Sequence, residues 1–295
     1  MATTVTNEGT KFPAELVSEM FKKANGRSTL AKLSSSKPAS FTGNSVMTFQ
    51  LDGEAAIVGE GMAKPAGSAK LGPVTITPIK FVYQHRVSDE FMKAAEEKQL
   101  DYLSAFGDGF AGKIARALDI AAMHGVNPAD GAESATVKTK SFDTLVTQTV
   151  TYAAATADDN IDDAVLLVQN ADGEINGLAM STAFGSALSK IKANGIAQYP
   201  EFRFGANPSA FAGIPSDING TMAFGGSKDM AIVGDFANAF RWGYADSVPM
   251  EIIQYGDPDG LGDLKKMNQV CLRAEAYIGW GILDATSFAR IVAAE

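Results

Sequence analysis

The clearest hydrophobic pattern in the chain is a stripe of apolar residues between positions 100 and 124. Large apolar side chains recur there every three or four residues, at Leu103, Phe106, Phe110, Ile114, Leu118 and Ala121. This spacing predicts one face of an α-helix about 35–40 Å long. Ser88 is a suitable N-cap for a short preceding helix, and Gly125 before Asn127-Pro128 ends the long one. Three interior glycines, each costing about 1 kcal/mol relative to alanine, call for a closely approaching neighbouring backbone or a bend.

A second pattern, alternation with period two, precedes this helix. It predicts one strand around residues 46–49 and another over residues 74–77 and 79–83. The roughly 20 residues between them are rich in glycine and too long for an ordinary hairpin turn. We therefore expect a long hairpin that contacts something outside its own domain.

The N-terminal region predicts an arm. Residues 12–21 have the pattern of a short amphipathic helix, and residues 34–38 form a polar linker. Such a helix is marginal alone. The arm is therefore expected to bind a surface elsewhere.

The C-terminal half alternates between strand and helix signals. Strands are predicted at residues 176–180, 230–233 and 268–279, and helices at 161–168, 182–192 and 284–291; residues 142–152 are ambiguous. Residues 158–258 are expected to form a second α/β lobe.

Composition narrows the function. The 295 residues carry 25 basic and 34 acidic side chains, a net charge of −9, which disfavours tight nucleic-acid binding. No apolar run reaches the roughly 18–20 residues that span a bilayer, and the N-terminus lacks a secretory signal, which favours a cytoplasmic origin. Cys271 is the only cysteine, so an intrachain disulfide is excluded.

Candidate catalytic and ligand motifs are weak. Residues 107–113 have the glycine spacing of a phosphate loop, but Ile114 replaces the magnesium-binding hydroxyl and the segment lies in a predicted helix. His85 and His124 are the only histidines, and structural roles are favoured for both. The acidic turn at residues 257–263 departs from the calcium-loop pattern. The sequence therefore predicts a protein that is not an enzyme and has no cofactor or metal.

The order of these parts is more specific than any motif. The stretches that carry it are DGEAAIVGEGMAKP (52–65), IKFVYQHRVSDEFM (79–92), ARALDIAAMHGVNPADG (115–131), MAIVGDFANAF (230–240) and NQVCLRAEAYIGWGILDATSFARI (268–291). Together they resemble the major capsid protein of tailed bacteriophages, with the α+β Hong Kong 97-type fold.

The resemblance implies four parts: an N-terminal arm (1–44), an extended β-hairpin loop (45–82), a peripheral domain (83–157 and 259–295) with the long spine helix, and an axial domain (158–258). It implies hexamers and pentamers in an icosahedral shell that encloses double-stranded DNA without sequence-specific binding. Such a shell assembles in the host cytoplasm and becomes part of the virion. The implied partners are further copies of the chain, a portal protein, a separate scaffolding protein and decoration proteins. An encapsulin-type compartment around an enzyme cargo is the alternative.

Charged residues in the loop and the arm are then expected to pair with neighbouring copies. They are Glu54, Glu60, Lys64 and Lys70 in the loop, and Lys22, Lys23 and Arg27 in the arm. Some members of the family also crosslink a loop lysine to an asparagine of a neighbouring subunit. Lys64 or Lys70 with Asn268 is the candidate pair, although the acidic residue that assists the reaction has no match, so crosslinking is the less favoured interpretation.

Overall fold

The computed structural model describes residue 23 and residues 27–94, 96–245 and 250–294. The helix predicted over residues 12–21 lies outside this part. The α-helices are α1 (Thr29–Leu33), α2 (Glu96–His124), α3 (Phe142–Leu145), α4 (Ala157–Asn170) and α5 (Thr182–Leu188). The 3₁₀ helices are Asp89–Lys93, Lys138–Lys140, Ala154–Thr156, Pro200–Gly205, Gly220–Gly226 and Ala285–Ser287. The strands are β1 (Asn44–Asp52), β2 (Ser68–Ile76), β3 (Ile79–Ser88), β4 (Thr149–Tyr152), β5 (Gly177–Met180), β6 (Lys192–Ala193), β7 (Ile196–Ala197), β8 (Ala210–Phe211), β9 (Ile214–Ile218), β10 (Asp229–Gly234), β11 (Phe240–Tyr244), β12 (Met250–Ile253), β13 (Gln269–Ile282) and β14 (Phe288–Ala293).

Helix α2 confirms the predicted spine and begins four residues earlier than expected. All six residues of the apolar stripe are buried. Ser88 caps the preceding 3₁₀ helix, since its hydroxyl accepts a hydrogen bond from the Glu90 N–H at 3.2 Å. Gly125 ends α2 with φ +67, and a Cβ there would lie 2.7 Å from the Lys138 Cα. The start of the short 3₁₀ helix and the end of α2 therefore follow from local sequence.

The surroundings of the interior glycines of α2 differ from the prediction, which was a closely approaching backbone. At Gly112 a Cβ would lie 2.9 Å from Nη1 of Arg27, so a side chain from the arm approaches there. Around Gly107 and Gly109 no atom of the described residues lies within 4 Å of a built Cβ.

A four-stranded sheet packs against α2. Strand β13 pairs antiparallel with β3 on one edge and with β12 and then β11 on the other. Buried residues of β13 share one apolar core with the spine stripe, among them Leu272, Ile278 and Trp280. The predicted strand at residues 268–279 is thus confirmed as the centre of this sheet.

A mixed six-stranded sheet forms the second layer, in the order β4-β14-β10-β5-β9-β8. The β4–β14 and β5–β9 pairs are parallel and the other pairs are antiparallel. Helices α4 and α5 cover this sheet and enclose a separate apolar core. The predicted strands at 176–180 and 230–233 correspond to β5 and β10.

The sheets do not divide at the predicted domain boundaries. Strands β4 and β14 lie outside residues 158–258 but join the six-stranded sheet, while β11 and β12 lie inside that range and join the four-stranded sheet. The helix predicted over residues 284–291 is wrong, since Ala285–Ser287 form a single 3₁₀ turn and the residues from Phe288 onward belong to strand β14. Phe288 and Ile291 are both buried, but their three-residue spacing resembles a helical period in a strand that is covered on both faces.

Strands β1 and β2 confirm the predicted hairpin. They pair antiparallel from Asn44↔Ile76 to Asp52↔Ser68, whereas residues 79–82 of the predicted loop belong to β3 and pair with β13. At the base of the hairpin, Val74 and Ile76 lie over Gly281, where a Cβ would come within 3.2 Å of both side chains.

Candidate assembly surfaces

The outer face of the hairpin is apolar. The register places Met47, Phe49 and Leu51 opposite Pro73, Leu71 and Ala69 on the face turned away from Val74 and Ile76. Phe49 and Leu71, a direct cross-strand pair, are 62% and 64% exposed. A two-stranded ribbon with an uncovered apolar face is marginal in water. We name this surface the ribbon face: Met47, Phe49, Leu51 and Leu71.

The tip of the hairpin, residues 53–67, is exposed along its whole length. Glu54, Glu60 and Lys64 lie on this tip, and Lys70 is exposed on β2. Asn268 lies elsewhere, in the turn before β13, where its carbonyl accepts a hydrogen bond from the Asp89 N–H at 2.9 Å. The pairing of these loop residues with neighbouring copies, and the crosslink to Asn268, remain predictions.

The arm is anchored to the spine helix through one buried carboxylate. Ser28 Oγ donates to Asp119 Oδ1 at 2.6 Å, and the N–H groups of Thr29 and Leu30 donate to the same carboxylate at 2.9 and 3.2 Å. Asp119 thereby satisfies two N–H groups at the start of α1 that have no partner within that helix. Burial raises the pKa of Asp119 to about 6, against the lowering effect of these hydrogen bonds.

A second carboxylate holds the other flank of α1. Asp217 on β9 accepts hydrogen bonds from Thr29 Oγ1 and Lys32 Nζ, both at 2.5 Å. Because Asp119 belongs to the spine helix and Asp217 to the six-stranded sheet, the segment from Ser28 to Lys32 joins the two layers.

The predicted contact residues of the arm lie against the same helix. Lys23 Nζ pairs with Asp108 at 2.7 Å, and Arg27 Nη1 donates to the Asp108 carbonyl at 3.1 Å. Lys22 lies outside the described residues. In the isolated chain Lys23 and Arg27 therefore contact their own spine, and their pairing with another copy remains a prediction.

A buried ionic cluster lies where the spine helix meets the second sheet. Arg290 Nη2 is 2.7 Å from Asp229 and 3.0 Å from Asp143, and His124 Nδ1 is 3.1 Å from Asp143. His124 Nε2 is 2.9 Å from the Thr221 carbonyl. Both ring nitrogens therefore face acceptors, which favours the doubly protonated imidazolium.

Charges within the cluster shift its pKa values in a consistent pattern. Burial lowers the pKa of His124, but the hydrogen bond and charge of Asp143, the Thr221 carbonyl and the charge of Asp229 together outweigh it, so the net shift is upward. Burial and the adjacent Asp143 raise the pKa of Asp229 to about 7, although Arg290 opposes the shift. Burial also acts to raise the pKa of Asp143, but its bonds to His124 and Asp229, together with the charges of His124 and Arg290, produce a net lowering. One proton is thus held preferentially on Asp229 while Asp143 stays ionised.

The same cluster has a donor set that a metal ion could use. Ligand atoms of His124, Asp143 and Asp229 lie within 4.8 Å of one another. However, the guanidinium of Arg290 already lies within salt-bridge distance of both carboxyl groups, where it would repel a bound cation. The arrangement therefore fits a salt-bridge network better than a cation site.

This cluster makes stability depend on pH. Protonation of Asp229 stabilises the folded chain fully below about pH 4, and this stabilisation is lost as the pH rises through about 7; His124, whose pKa is also raised, acts in the same direction. The contribution of Asp143, whose pKa is lowered, is lost only in acid. We expect the free energy of unfolding, measured with urea, to fall between about pH 4 and pH 7 by up to about 1.4 kcal/mol per pH unit for the Asp229 proton, and His124 should extend the fall above its ordinary pKa.

The control variant for this prediction is Asp229→Asn, which can still accept from Arg290 and donate to Asp143. It should show a shallower pH dependence over that range than the wild-type chain. An equal slope in the two proteins would show that Asp229 does not carry the effect.

Other polar motifs from the sequence have structural partners. Arg86 binds the acidic turn, since its Nε donates to Asp259 at 2.9 Å and its Nη2 to the Gly262 carbonyl at 2.7 Å. Pairing with Arg86 therefore gives the acidic turn a structural role that needs no bound cation. His85 Nε2 lies 3.0 Å from the hydroxyl of Tyr102. Residues 107–113 continue the helix α2 and form no phosphate-binding loop.

The buried charges were missed by sequence reasoning, although a signal exists. Asp119 interrupts the buried run of residues 117–123, and Arg290 stands between the buried Ala289 and Ile291. A charged residue inside an apolar run is rarely buried without a partner. Such interruptions are the positions to inspect.

Comparison with known proteins agrees with this architecture. The family model described as the phage capsid family matches residues 9–293. A solved structure from Mycobacterium phage Ogopogo is 32% identical, with a TM-score of 0.79 over 91% of this chain and 92% of that chain. One from Gordonia phage Cozz is 25% identical, with a TM-score of 0.75 over 91% and 87%. A chain from the capsid of an empty GTA particle shares the fold at 17% identity, with a TM-score of 0.64 over 91% and 90%. Comparison with curated protein sequences found no match.

The chain therefore belongs to the phage capsid family. It is a major capsid protein with the Hong Kong 97-type fold, and its role is structural. Within the described residues, no helix combines the length and apolar character that crossing a membrane requires.

Proposed function

We propose that this major capsid protein assembles as hexamers and pentamers into an icosahedral shell around phage double-stranded DNA, without catalysing a reaction. The observation that carries the proposal is the ribbon face, which is apolar and uncovered in the isolated chain. In the assembled shell it lies over the peripheral domain of a neighbouring copy. Repetition by symmetry turns many modest contacts into a stable closed structure.

The charge of the chain is compatible with this role. A shell filled with DNA from outside needs no attraction for phosphate, so a net charge of −9 is tolerable. We further propose a portal protein, a separate scaffolding protein and decoration proteins as partners, with assembly in the host cytoplasm. The alternative, an encapsulin-type compartment, is not favoured because both named relatives of 25% identity or more come from phages.

The test replaces Phe49 and Leu71 together by serine. Both side chains are exposed, so the purified subunit should keep its stability in urea. Closed shells should fail to form, as measured by light scattering and electron microscopy. The matched control is Leu261→Ser, at 69% exposure on the turn bound by Arg86.

A shorter hairpin tests the tip separately. Replacing residues 53–67 by Asn-Gly would join β1 to β2 through a two-residue turn and keep their register. We expect a folded subunit that does not form closed shells. Shells of wild-type yield from either variant would contradict the role of the hairpin.

A further inference from the structure

A groove of about 480 Å³ runs between strand β3 and the spine helix. We name it the spine groove, and its lining includes Tyr83 and His85 of β3 and Tyr102, Phe106, Gly109 and Lys113 of α2. Tyr83 and Tyr102 are 42% and 41% exposed. Within the described residues β3 pairs only with β13, so its other edge carries no strand.

The groove is largely aromatic. The ring centroids of Tyr83 and His85 lie 6.4 and 5.1 Å from that of Phe106. The ring of Tyr102 lies 6.1 Å from that of His85. Large rings that stay exposed on one side favour a further apolar segment that covers them.

The described chain begins beside this groove. Ser28 binds Asp119 of α2, and Lys23 Nζ lies 2.7 Å from Asp108, about three turns nearer the start of that helix. The arm therefore runs along α2 toward the N-terminus of the helix. Residues 1–22 continue from a point next to Gly109, the residue that follows Asp108.

Small residues leave a path from the arm to the groove. At about 100° per residue, Ala105 and Gly109 project between the flank of α2 that holds Asp108 and the flank that holds Phe106 and Lys113. Both small residues are exposed, and no atom of the described residues lies within 4 Å of a Cβ built on Gly109. A segment of the arm can therefore cross α2 here, close to its backbone.

The sequence of residues 12–21 suits the spine groove. This segment lies outside the described part of the chain, and its pattern predicts an amphipathic helix. One face carries apolar side chains at intervals of four residues, and the adjacent row carries two carboxylates. The apolar row is Phe12, Leu16 and Met20, and the acidic row is Glu15 and Glu19. An amphipathic helix of this kind typically binds by placing its apolar face in a hydrophobic groove.

Length and charge also match. A helix of ten residues is about 15 Å long, and α2 rises by about 16 Å from Tyr102 to Lys113. Lys113 and Arg116 are exposed and form no ion pair with a described residue. The arm segment carries two carboxylates and no cation, so its charge is opposite to that of the groove.

We propose that residues 12–21 of the arm dock as a helix in the spine groove of their own chain. The apolar row covers the rings of Tyr83 and Tyr102, and the acidic row faces Lys113. The contact goes beyond the proposed shell function and does not depend on it, since it forms in the isolated subunit. The same chain fits better than another copy, because the described arm already reaches Asp108 and a linked segment binds at a high effective concentration.

Hydrogen exchange of the full-length, unassembled subunit tests the docking. The backbone amides of residues 12–21 should exchange at least about tenfold more slowly than in a free peptide of the same sequence, as measured by mass spectrometry. The double variant Ala105→Glu/Gly109→Glu adds two carboxylates where the segment crosses α2 and should abolish this protection. Glutamate favours a helix more than glycine does, so α2 should keep its structure.

The matched control is Ala183→Glu/Ser186→Glu, which adds the same charge at exposed positions of helix α5. This variant should keep the protection of residues 12–21. A short helix is marginal alone, so equal exchange rates in the wild-type subunit and the free peptide would show that the segment is not docked and would overturn the proposal.

Further outcomes identify the occupant of the groove. Protection that is equal at two protein concentrations supports docking within one chain. Protection that rises with concentration, or that appears only in assembled shells, would mean that the arm of another copy fills the groove, and the proposal would be wrong. If Ala105→Glu/Gly109→Glu prevents shell assembly without changing the exchange of residues 12–21, the hairpin of another copy occupies the groove and the proposal is again wrong.

Failure of this proposal is distinguishable from failure of the shell function. Exchange is measured on the subunit before assembly, so an undocked arm leaves the shell function standing. A wild-type chain with a protected arm that never assembles would contradict the shell function alone.

Discussion

Replacing Gly243 by alanine is expected to destabilise the subunit by about 3 kcal/mol or more. A Cβ at this position would lie 1.7 Å from the Lys37 carbonyl oxygen, so the two backbones could not stay in place. Residues 36–39 run beside β11, where the Lys37 N–H donates to Trp242 at 2.8 Å and the Ala39 N–H to Tyr244 at 3.0 Å. The alanine would expel this segment and uncover the buried Trp242. Urea unfolding of the purified subunit measures the loss.

The matched control is Gly107→Ala. This glycine lies inside α2 with no atom of the described residues within 4 Å of a built Cβ, so alanine should stabilise the helix by up to about 1 kcal/mol. The same substitution is thus expected to have opposite signs at two positions. If Gly243→Ala were as stable as the wild-type chain, the close contact between residues 36–39 and the backbone of Gly243 would not be needed for stability.

Replacing Asp119 by alanine should cost about 3 kcal/mol or more and loosen the root of the arm. The change leaves the Ser28 hydroxyl and the N–H groups of Thr29 and Leu30 buried without their acceptor. We expect a lower midpoint in urea and faster proteolysis near residue 28 than in the wild-type chain. Asp119→Asn, which keeps one acceptor oxygen, should have an intermediate effect.

The control for this prediction lies on the same helix. Asp108 pairs with Lys23 at a site where both side chains are 42% exposed, and such pairs contribute about 0–1 kcal/mol. Asp108→Ala should therefore unfold close to the wild-type midpoint. Equal losses from the two substitutions would mean that the buried position of Asp119 gives it no special weight.

The elements that could be predicted from sequence are those whose pattern is local. The spine helix depends on six apolar residues on one face and on the stop signal at Gly125, all within one segment. The hairpin was likewise predictable from alternation on either side of a glycine-rich stretch. In both cases local preference and the final fold agree.

The elements that could not be predicted depend on distant partners. Strand β14 lies between β4 and β10, and its pairing with residues 149–152 is parallel. Because both partner strands are distant along the chain, the sequence around residue 288 does not indicate this strand. The anchoring of α1 could likewise be recognised only in the folded structure, because Asp119 and Asp217 are 90 and 188 positions away from Thr29 along the chain.

The arm illustrates a partial success. The sequence predicted a segment that needs a surface outside itself, and α1 does bind through Asp119 and Asp217. That surface belongs to the same chain, so the part of the arm from Arg27 to Leu33 is held without a contact from another copy. The ribbon face and the tip are the parts of the prediction that still require another copy.

The base of the hairpin bears on how one sequence could occupy both the five-fold and the six-fold rings of the proposed shell. A Cβ at Gly279 would lie 2.9 Å from Ile76, and one at Gly281 3.1 Å from the same side chain, so the ribbon leaves the sheet in a direction fixed by these two positions. We therefore expect any adjustment to a flatter or more sharply curved arrangement of neighbouring copies to arise beyond Gly72, toward the tip. The contacts at Gly279 and Gly281 would fix the direction in which the hairpin leaves the sheet. Bending of the outer part of the hairpin would then accommodate the different curvature around five-fold and six-fold rings.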